Sequence, residues 1–189
     1  MLYYAFMRIE KRMEYNTHDL TGKTIAITGS TGGLASFLVE NLAKLNVNFI
    51  FINRSKEKTD EQISNLLKLY PNLKLEFIQC DLSNFESVQS TTKILKTKDV
   101  DILYLCAGAY NIQRYRTNLN YDNVFQINFI SQYHMAKELL NNIKSRNGKI
   151  VAESACSASC RQTLPNSLVL RAFARKMGTG TNEVNTSAT

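Results

Sequence analysis

Proline is scarce in this chain of 189 residues, with two in all, and its four cysteines are unevenly spaced. So few prolines, beside 44% hydrophobic and 10% aromatic residues, exclude a disordered low-complexity chain. The cysteine pattern excludes a secreted disulfide framework. No apolar run reaches the roughly 18 residues that a membrane-spanning helix needs. Residues 1–14 mix Tyr3, Tyr4 and Phe6 with Arg8, Lys11 and Arg12. They lack the apolar centre and small-residue cleavage site of a signal peptide. A reducing, cytoplasmic compartment is the expectation. The length suits one domain with a real core and is short for two.

The net charge is +7. That favours anions as partners, from nucleotides to nucleic acid. The lysines are scattered, however, over Lys56 and Lys58, then Lys93, Lys96 and Lys98, then Lys144 and Lys149. No basic block is interleaved with aromatics, so a solvated basic surface is expected and nucleic-acid binding is not.

Short β-branched or aromatic runs alternate with longer helix-periodic ones. Lys23–Thr28 predicts a first strand, followed by a helix on Leu34, Phe37, Leu38, Leu42 and Leu45. Asn48–Ile52 predicts a second strand and Lys56 onward a polar helix with Ile63, Leu66 and Leu67 on one face, stopped by Pro71. Leu73–Ile78 is the third strand, and Asn84–Leu95 a helix opened by Ser83 or Asn84. Asp101–Cys106 is the fourth, Tyr121–Ile143 one long helix closed at Gly148, and Lys149–Ala152 the fifth. Such alternation implies right-handed crossovers. The expected fold class is α/β: a doubly wound, mostly parallel sheet of about five strands, incomplete at the C-terminal edge.

Composition changes near residue 150. All fourteen isoleucines and all nine tyrosines precede residue 151, and only Lys176 represents lysine after it. Residues 178–189 are small and polar and read as a disordered tail, with one short helix suggested over 167–176. The expected division is an N-terminal extension (1–18), a nucleotide-binding domain (19–152) and an atypical C-terminal segment (153–189).

Thr28-Gly-Ser-Thr-Gly-Gly-Leu-Ala35 lies between the first strand and the first helix, a context that makes the glycines informative. Gly29 allows a sharp turn, Gly33 allows backbone to approach a pyrophosphate, and Ala35 is small enough for helix to pack on sheet. The helix N-terminus offers N–H groups and a positive dipole end, so Ser30, Thr31 and Leu34 join Gly29 and Gly33 as cofactor-binding candidates. The bland alternative is a tight turn without a ligand. The second strand ends Asn53-Arg54-Ser55, with no acid to read a ribose 2′-hydroxyl. Arg54 can hold a 2′-phosphate, which favours NADP over NAD, or it is an ordinary exposed arginine. Asp81, at the end of the third strand and followed by Leu82, either meets an adenine amino group or caps the next helix. Ala107 and Gly108, after the fourth strand, are small enough for backbone to run beside a cofactor.

Together these residues resemble the short-chain dehydrogenase/reductase family. Its glycine pattern Thr-Gly-x-x-x-Gly-x-Gly is matched by Thr28, Gly29 and Gly33, with Ala35 in place of the last glycine. Asp19-Leu-Thr-Gly-Lys-Thr24, Asn53-Arg54 and Glu76-Phe-Ile-Gln-Cys-Asp-Leu82 resemble the branch with retinol-dehydrogenase-like and WW-domain-oxidoreductase-like enzymes. Asn123-Val-Phe-Gln-Ile-Asn128 is similar to the family's central helix, and Asn128 matches its catalytic asparagine. The resemblance spans residues 19–152 and implies a Rossmann-like fold. It also implies hydride transfer between a nicotinamide cofactor and an alcohol or carbonyl substrate, lipid-like or steroid-like. A tyrosine would act as acid/base, helped by a lysine, a serine and the asparagine.

The departures are specific. Cys106 stands where the family has an asparagine before Ala-Gly. Ser154 matches the first of two serines and Ala155 the second, which is usually the catalytic one, so Ser154, or Ser157, is the candidate to substitute after a local shift. The family's Tyr-x-x-x-Lys is expected beyond that serine, but the last tyrosine is Tyr133. Tyr133-His-Met-Ala-Lys137 has the spacing but lies in the preceding helix and reads as a decoy. Cys156 and Cys160, with His18 and His134 remote, do not supply the four ligands of a zinc site. Two functional readings follow: an NADP(H)-dependent oxidoreductase that is weak or inactive as it stands, or a non-catalytic NADP(H)-binding or interaction module, pairing with itself or a full-length homologue. An incomplete product with an uncovered edge strand is a third.

Overall fold

The computed structural model describes residues 20–110 and 112–152. The extension 1–18, the segment 153–189, Ser154, Ser157 and the helix suggested over 167–176 lie outside those residues. Along the chain run β1 (Thr24–Thr28), α1 (Gly33–Ala43), β2 (Asn48–Asn53), α2 (Lys56–Leu69), β3 (Leu75–Gln79) and α3 (Phe85–Lys96). Then follow β4 (Ile102–Leu105), a single turn α4 (Asn123–Phe125), a π-helical turn (Gln126–Ile130), α5 (Ser131–Ser145) and β5 (Lys149–Ala152).

The five strands pair in the order β3-β2-β1-β4-β5, and every pair is parallel. Thr28 faces Ile52 of β2 and Leu105 of β4, so these strands end side by side. Strand order reverses between β1 and β4, the point where an α/β sheet opens a crevice at its carboxyl edge.

Residues on β1 alternate between two cores, which is why its run is apolar throughout. Ile25 and Ile27 join Phe49 and Phe51 under α1 and α2. Ala26 joins Ile50, Ile52, Leu103 and Leu105 under α3 and α5. Each buried large side chain contributes about 1.5–3 kcal/mol.

Three expectations need correcting. On α1 the buried stripe is Ala35, Val39 and Ala43 with Leu38 and Leu42 partly buried beside it, while Leu34, Phe37 and, past the helix end, Leu45 are exposed. Ala35, Val39 and Ala43 recur every four residues on one helix face, and Leu38 and Leu42 pack at the border of that stripe. On α2, Leu66 is buried and Leu67 exposed. The predicted long helix begins only at Asn123 and is broken by the π-helical turn. Asp122 caps it, accepting from the N–H groups of Val124 (3.0 Å) and Phe125 (3.1 Å). The widened turn accommodates side chains tied to outside loops. Gln126 donates to the Ser83 carbonyl (2.8 Å) and the Ser131 hydroxyl to the Leu82 carbonyl (2.6 Å). Of Ser83 and Asn84, it is Asn84 that caps α3, accepting from the N–H groups of Glu86 (3.0 Å) and Ser87 (3.3 Å).

At the amino edge of the sheet, Asp101 joins three strands. Its carboxylate accepts from the Thr24 N–H at 2.9 Å and meets Lys23 Nζ at 3.3 Å and Arg146 Nη2 at 3.5 Å. Its carbonyl accepts from the Lys149 N–H at 3.0 Å. A Cβ on Gly148 would lie 2.1 Å from that carbonyl oxygen, so only glycine fits. Burial alone would raise the Asp101 carboxyl, but the Thr24 N–H and the two cations outweigh it and hold it below the ordinary range. A carboxyl lowered by folding stabilises the fold above its unfolded value, and the contribution is lost as pH falls through the folded value. Asp101→Asn is therefore expected to cost about 2 kcal/mol near neutral pH. That cost should shrink below about pH 4. Urea melts across pH test this, and a cost independent of pH would remove the charge from the account.

Candidate functional site

The glycine turn leaves β1 at the crevice. Gly29 has φ +71°, and a Cβ there would come within 2.7 Å of Ala107 Cα. Conformation and contact both require glycine. Its N–H donates to the Ile52 carbonyl at 3.0 Å, and Gly32 N–H closes the turn on the Gly29 carbonyl at 3.0 Å.

Gly33 opens α1, and a Cβ built on it meets nothing within 4 Å. Side chains of Ser55, Asn84 and Asp122 cap α2, α3 and α4, whereas α1 has neither a side-chain cap nor an acid in its first turn. Among the described residues, the N–H groups of Thr31, Gly33 and Leu34 have no partner. An uncapped N-terminus with accessible backbone suits an anion such as a pyrophosphate.

Beneath the turn, Ser30 is fully buried. Its N–H donates to Asn53 Oδ1 (2.9 Å) and its hydroxyl to Gln62 Oε1 (2.7 Å). The same hydroxyl accepts from Asn53 Nδ2 (2.8 Å), and its carbonyl accepts from Gln62 Nε2 (2.9 Å). Ser30 thus shapes the turn from within. Asn53 also donates to Thr59 Oγ1 at 3.0 Å. Next to it, at the β2 tip, Arg54 is exposed. Its carbonyl accepts from Gln79 Nε2 at 3.1 Å, and its guanidinium has no acidic partner among the described residues.

The β4 tip is strapped to β1 by a hydroxyl. Thr28 Oγ1 accepts from the N–H groups of Cys106 (3.0 Å) and Ala107 (3.1 Å), and donates to Gln132 Oε1 at 3.4 Å. Gln132 Nε2 donates to the Ala107 carbonyl. Thr28 and Gln132 therefore hold the tip where Cys106 has no side-chain amide. Beyond Gly108, the Asn128 amide pairs with both backbone groups of Ala109, accepting from N–H at 2.7 Å and donating to the carbonyl at 3.0 Å. Asn128 lies in the π-helical turn, a form that recurs at functional sites.

Asp81 Oδ1 accepts from the Ser83 N–H (2.9 Å) and hydroxyl (2.8 Å), which makes it a turn former ahead of the helix that Asn84 caps. The Leu82 side chain is buried in the core, and its carbonyl is taken by the Ser131 hydroxyl. The Tyr133 ring stacks on Phe129 at 5.8 Å, and Lys137 is exposed.

The fold thus gathers Gly29, Ala107, Gly108 and Asn128 around one strand tip and links Ser30 to the Arg54 segment. Sequence reasoning missed Gln62, Gln132, Asn53 and the hydroxyl of Thr28 as site builders. Thr28 and Asn53 lie inside recognisable motifs, whereas two glutamines on helices carry no local signal.

A family profile described as short chain dehydrogenase matches residues 23–169. The chain belongs to the short-chain dehydrogenase family. Hydroxysteroid dehydrogenase-like protein 1 of Gallus gallus is 35% identical over 150 residues, covering 76% of this chain and 44% of that protein. The WW domain-containing oxidoreductase of Homo sapiens is 25% identical over 130 residues, 68% of this chain and 31% of that protein. The chain spans less than half the length of either relative. L-sorbose reductase from Gluconobacter frateurii, solved with NADPH and L-sorbose, superposes with a TM-score of 0.65 at 19% identity. That match covers 84% of this chain and 64% of the reductase and shows a shared fold.

The two family glycines should respond oppositely. Gly29→Ala meets both a left-handed backbone and the Ala107 contact, and is expected to destabilise by at least about 2 kcal/mol. Gly33→Ala fits a helical position with open space and is expected to leave stability unchanged or raise it by up to about 1 kcal/mol. Thermal melts of the two variants check this, and equal losses would contradict the assigned contacts.

Proposed function

We propose that this chain is an NADP(H)-binding unit of a short-chain dehydrogenase/reductase-type oxidoreductase, with residues 19–152 as its nucleotide-binding domain and an alcohol or carbonyl as its substrate. The observation that carries the reading is the glycine turn pressed on Ala107, with a helix N-terminus that no side chain caps on one side and an exposed Arg54 on the other. Gly29, Thr31, Gly33 and Leu34 offer backbone to the pyrophosphate, with Ser30 fixing their shape. Arg54 takes the 2′-phosphate, and the absence of an acid at the β2 tip supports NADP over NAD. Asp81 and the Leu82 backbone meet the adenine, while Ala107 and Gly108 leave room beside the nicotinamide half. A nicotinamide bound there supplies or accepts a hydride. Asn128 stands at the family's catalytic asparagine, and Ser154, one place before the usual catalytic serine, is the candidate to substitute for it.

These 189 residues bind without efficient turnover, in this reading. Past β4 the only Tyr-x-x-x-Lys spacing is Tyr133–Lys137, and Tyr133 belongs to a ring ladder instead. Loss of general acid/base catalysis lowers rates about 10²–10⁴-fold. The ladder favours the second reading, an interaction module that pairs with itself or a full-length homologue. Tyr121, Phe125, Phe129 and Tyr133 follow one another at 6.1, 5.4 and 5.8 Å, and Tyr121 is 44% and Phe125 36% exposed. A cytoplasmic setting is the third part of the proposal; among the described residues no helix is long and apolar enough to cross a membrane.

Calorimetric titration tests the cofactor. NADPH is expected to bind about tenfold more tightly than NADH, and Arg54→Leu to erase the difference. No binding of either would overturn the reading, and rapid NADPH oxidation with a ketone would overturn its inactive half. Sedimentation tests the ladder: Phe125→Glu should shift any self-association toward monomer while leaving NADPH affinity unchanged.

A further inference from the structure

We infer that Gln62 is a positioning residue for the phosphorylated adenosine half of the dinucleotide, acting by locking the glycine turn through Ser30; this rests on the cofactor reading above. Gln62 sits on α2, thirty-two positions from Ser30, yet makes two opposed bonds to it: Oε1 accepts from the hydroxyl at 2.7 Å and Nε2 donates to the carbonyl at 2.9 Å. Asn53 makes the complementary pair, at 2.9 Å to the N–H and 2.8 Å to the hydroxyl oxygen. Every polar group of one buried serine is thereby satisfied by two amides, one from the end of β2 and one from α2.

The geometry has a consequence for binding. The same short segment carries Asn53, Arg54 and the Ser55 cap of α2, so the 2′-phosphate reader and the serine lock share one backbone. On the other side of Ser30 lie Thr31, Gly33 and Leu34, whose N–H groups are unpartnered among the described residues. With the lock closed, turn and reader are set in place before a ligand arrives, and binding need not order them. With Gln62 removed, the Ser30 carbonyl and hydroxyl hydrogen lose their partners inside a buried network, where unpaired groups are costly. The turn then relaxes, and ligand binding must restore it.

The test is calorimetric titration with 2′,5′-ADP, which carries the adenosine half and the 2′-phosphate alone, on the full 189-residue chain. Gln62→Ala suits a helix, so α2 is expected to form. Gln62→Met, of similar size without polar amide atoms, guards against a packing artefact. Both should weaken 2′,5′-ADP about tenfold. The control is Val88→Ala, which trims a buried side chain in the core under α3 and should lower the melting temperature while leaving the affinity unchanged. Amide exchange at Ser30 and Gly32, whose N–H groups are bonded to Asn53 and to the Gly29 carbonyl, should rise in the Gln62 variants and not in the control. Unchanged 2′,5′-ADP affinity in both Gln62 variants overturns the inference while the cofactor reading stands. So does an equal loss in Val88→Ala, which would make the effect one of general stability. Failure of the unmodified chain to bind either 2′,5′-ADP or NADPH overturns the cofactor reading itself, and the inference with it.

Discussion

The backbone of Gly29 touches the backbone of Ala107, and the architecture of the crevice depends on that contact. A Cβ at position 29 would stand 2.7 Å from Ala107 Cα, closer than carbon atoms pack. The contact brings the end of β1 against the end of β4 where the sheet reverses its strand order. The Thr28 hydroxyl then seals the approach by accepting from two consecutive N–H groups of the tip. Ala109 follows two residues on and is held at both backbone groups by Asn128. One steric fact at position 29 thus sets the glycine turn, the β4 tip and the central helix in mutual register.

The two edges of the sheet serve different ends. At the amino edge, Asp101 concentrates charge and hydrogen bonds on β1, β4 and β5, and Gly148 lets the incoming strand press on its carbonyl. At the carboxyl edge, polar groups are saturated beneath the surface, around Ser30 and Thr28, and, among the described residues, left unpaired along Thr31, Gly33 and Leu34. An edge built this way is rigid from below and open to an anion from above. Preorganised backbone donors need no rearrangement when a charged ligand arrives.

The strands and their order of succession were legible because β-branched and aromatic runs, such as Phe49–Ile52, are bounded by turn residues and separated by helix-length periodic segments. The glycine turn was legible for the same reason: its neighbours made it a strand-to-helix junction. What escaped the sequence depended on distance in space. The buried face of α1 follows Ala35, Val39 and Ala43 and leaves Leu34 and Phe37 outside, because docking of the helix in space, which no local pattern reports, decides the face. Ser30 read as a possible ligand contact, since nothing in its neighbours reveals two amides arriving from β2 and α2. Gln62 and Gln132 sat in otherwise amphipathic helices, where glutamine ordinarily faces water.

The π-helical turn was the least legible feature, and it changes what Asn128 can do. A widened turn requires that ordinary helical bonding be outweighed, and here the competing bonds are visible on three sides. Gln126 reaches the Ser83 carbonyl, Ser131 reaches the Leu82 carbonyl, and Asn128 grips Ala109. Both ends of the Asn128 amide are engaged by Ala109, so this side chain fixes the segment after Gly108. Gln132, four positions on, reaches from the same helix to the Ala107 carbonyl on the other side of Gly108. The central helix therefore holds the β4 tip on both sides of its glycine. That arrangement can maintain a nucleotide crevice whether or not an acid/base pair follows β5, because none of the groups that shape it belongs to that pair.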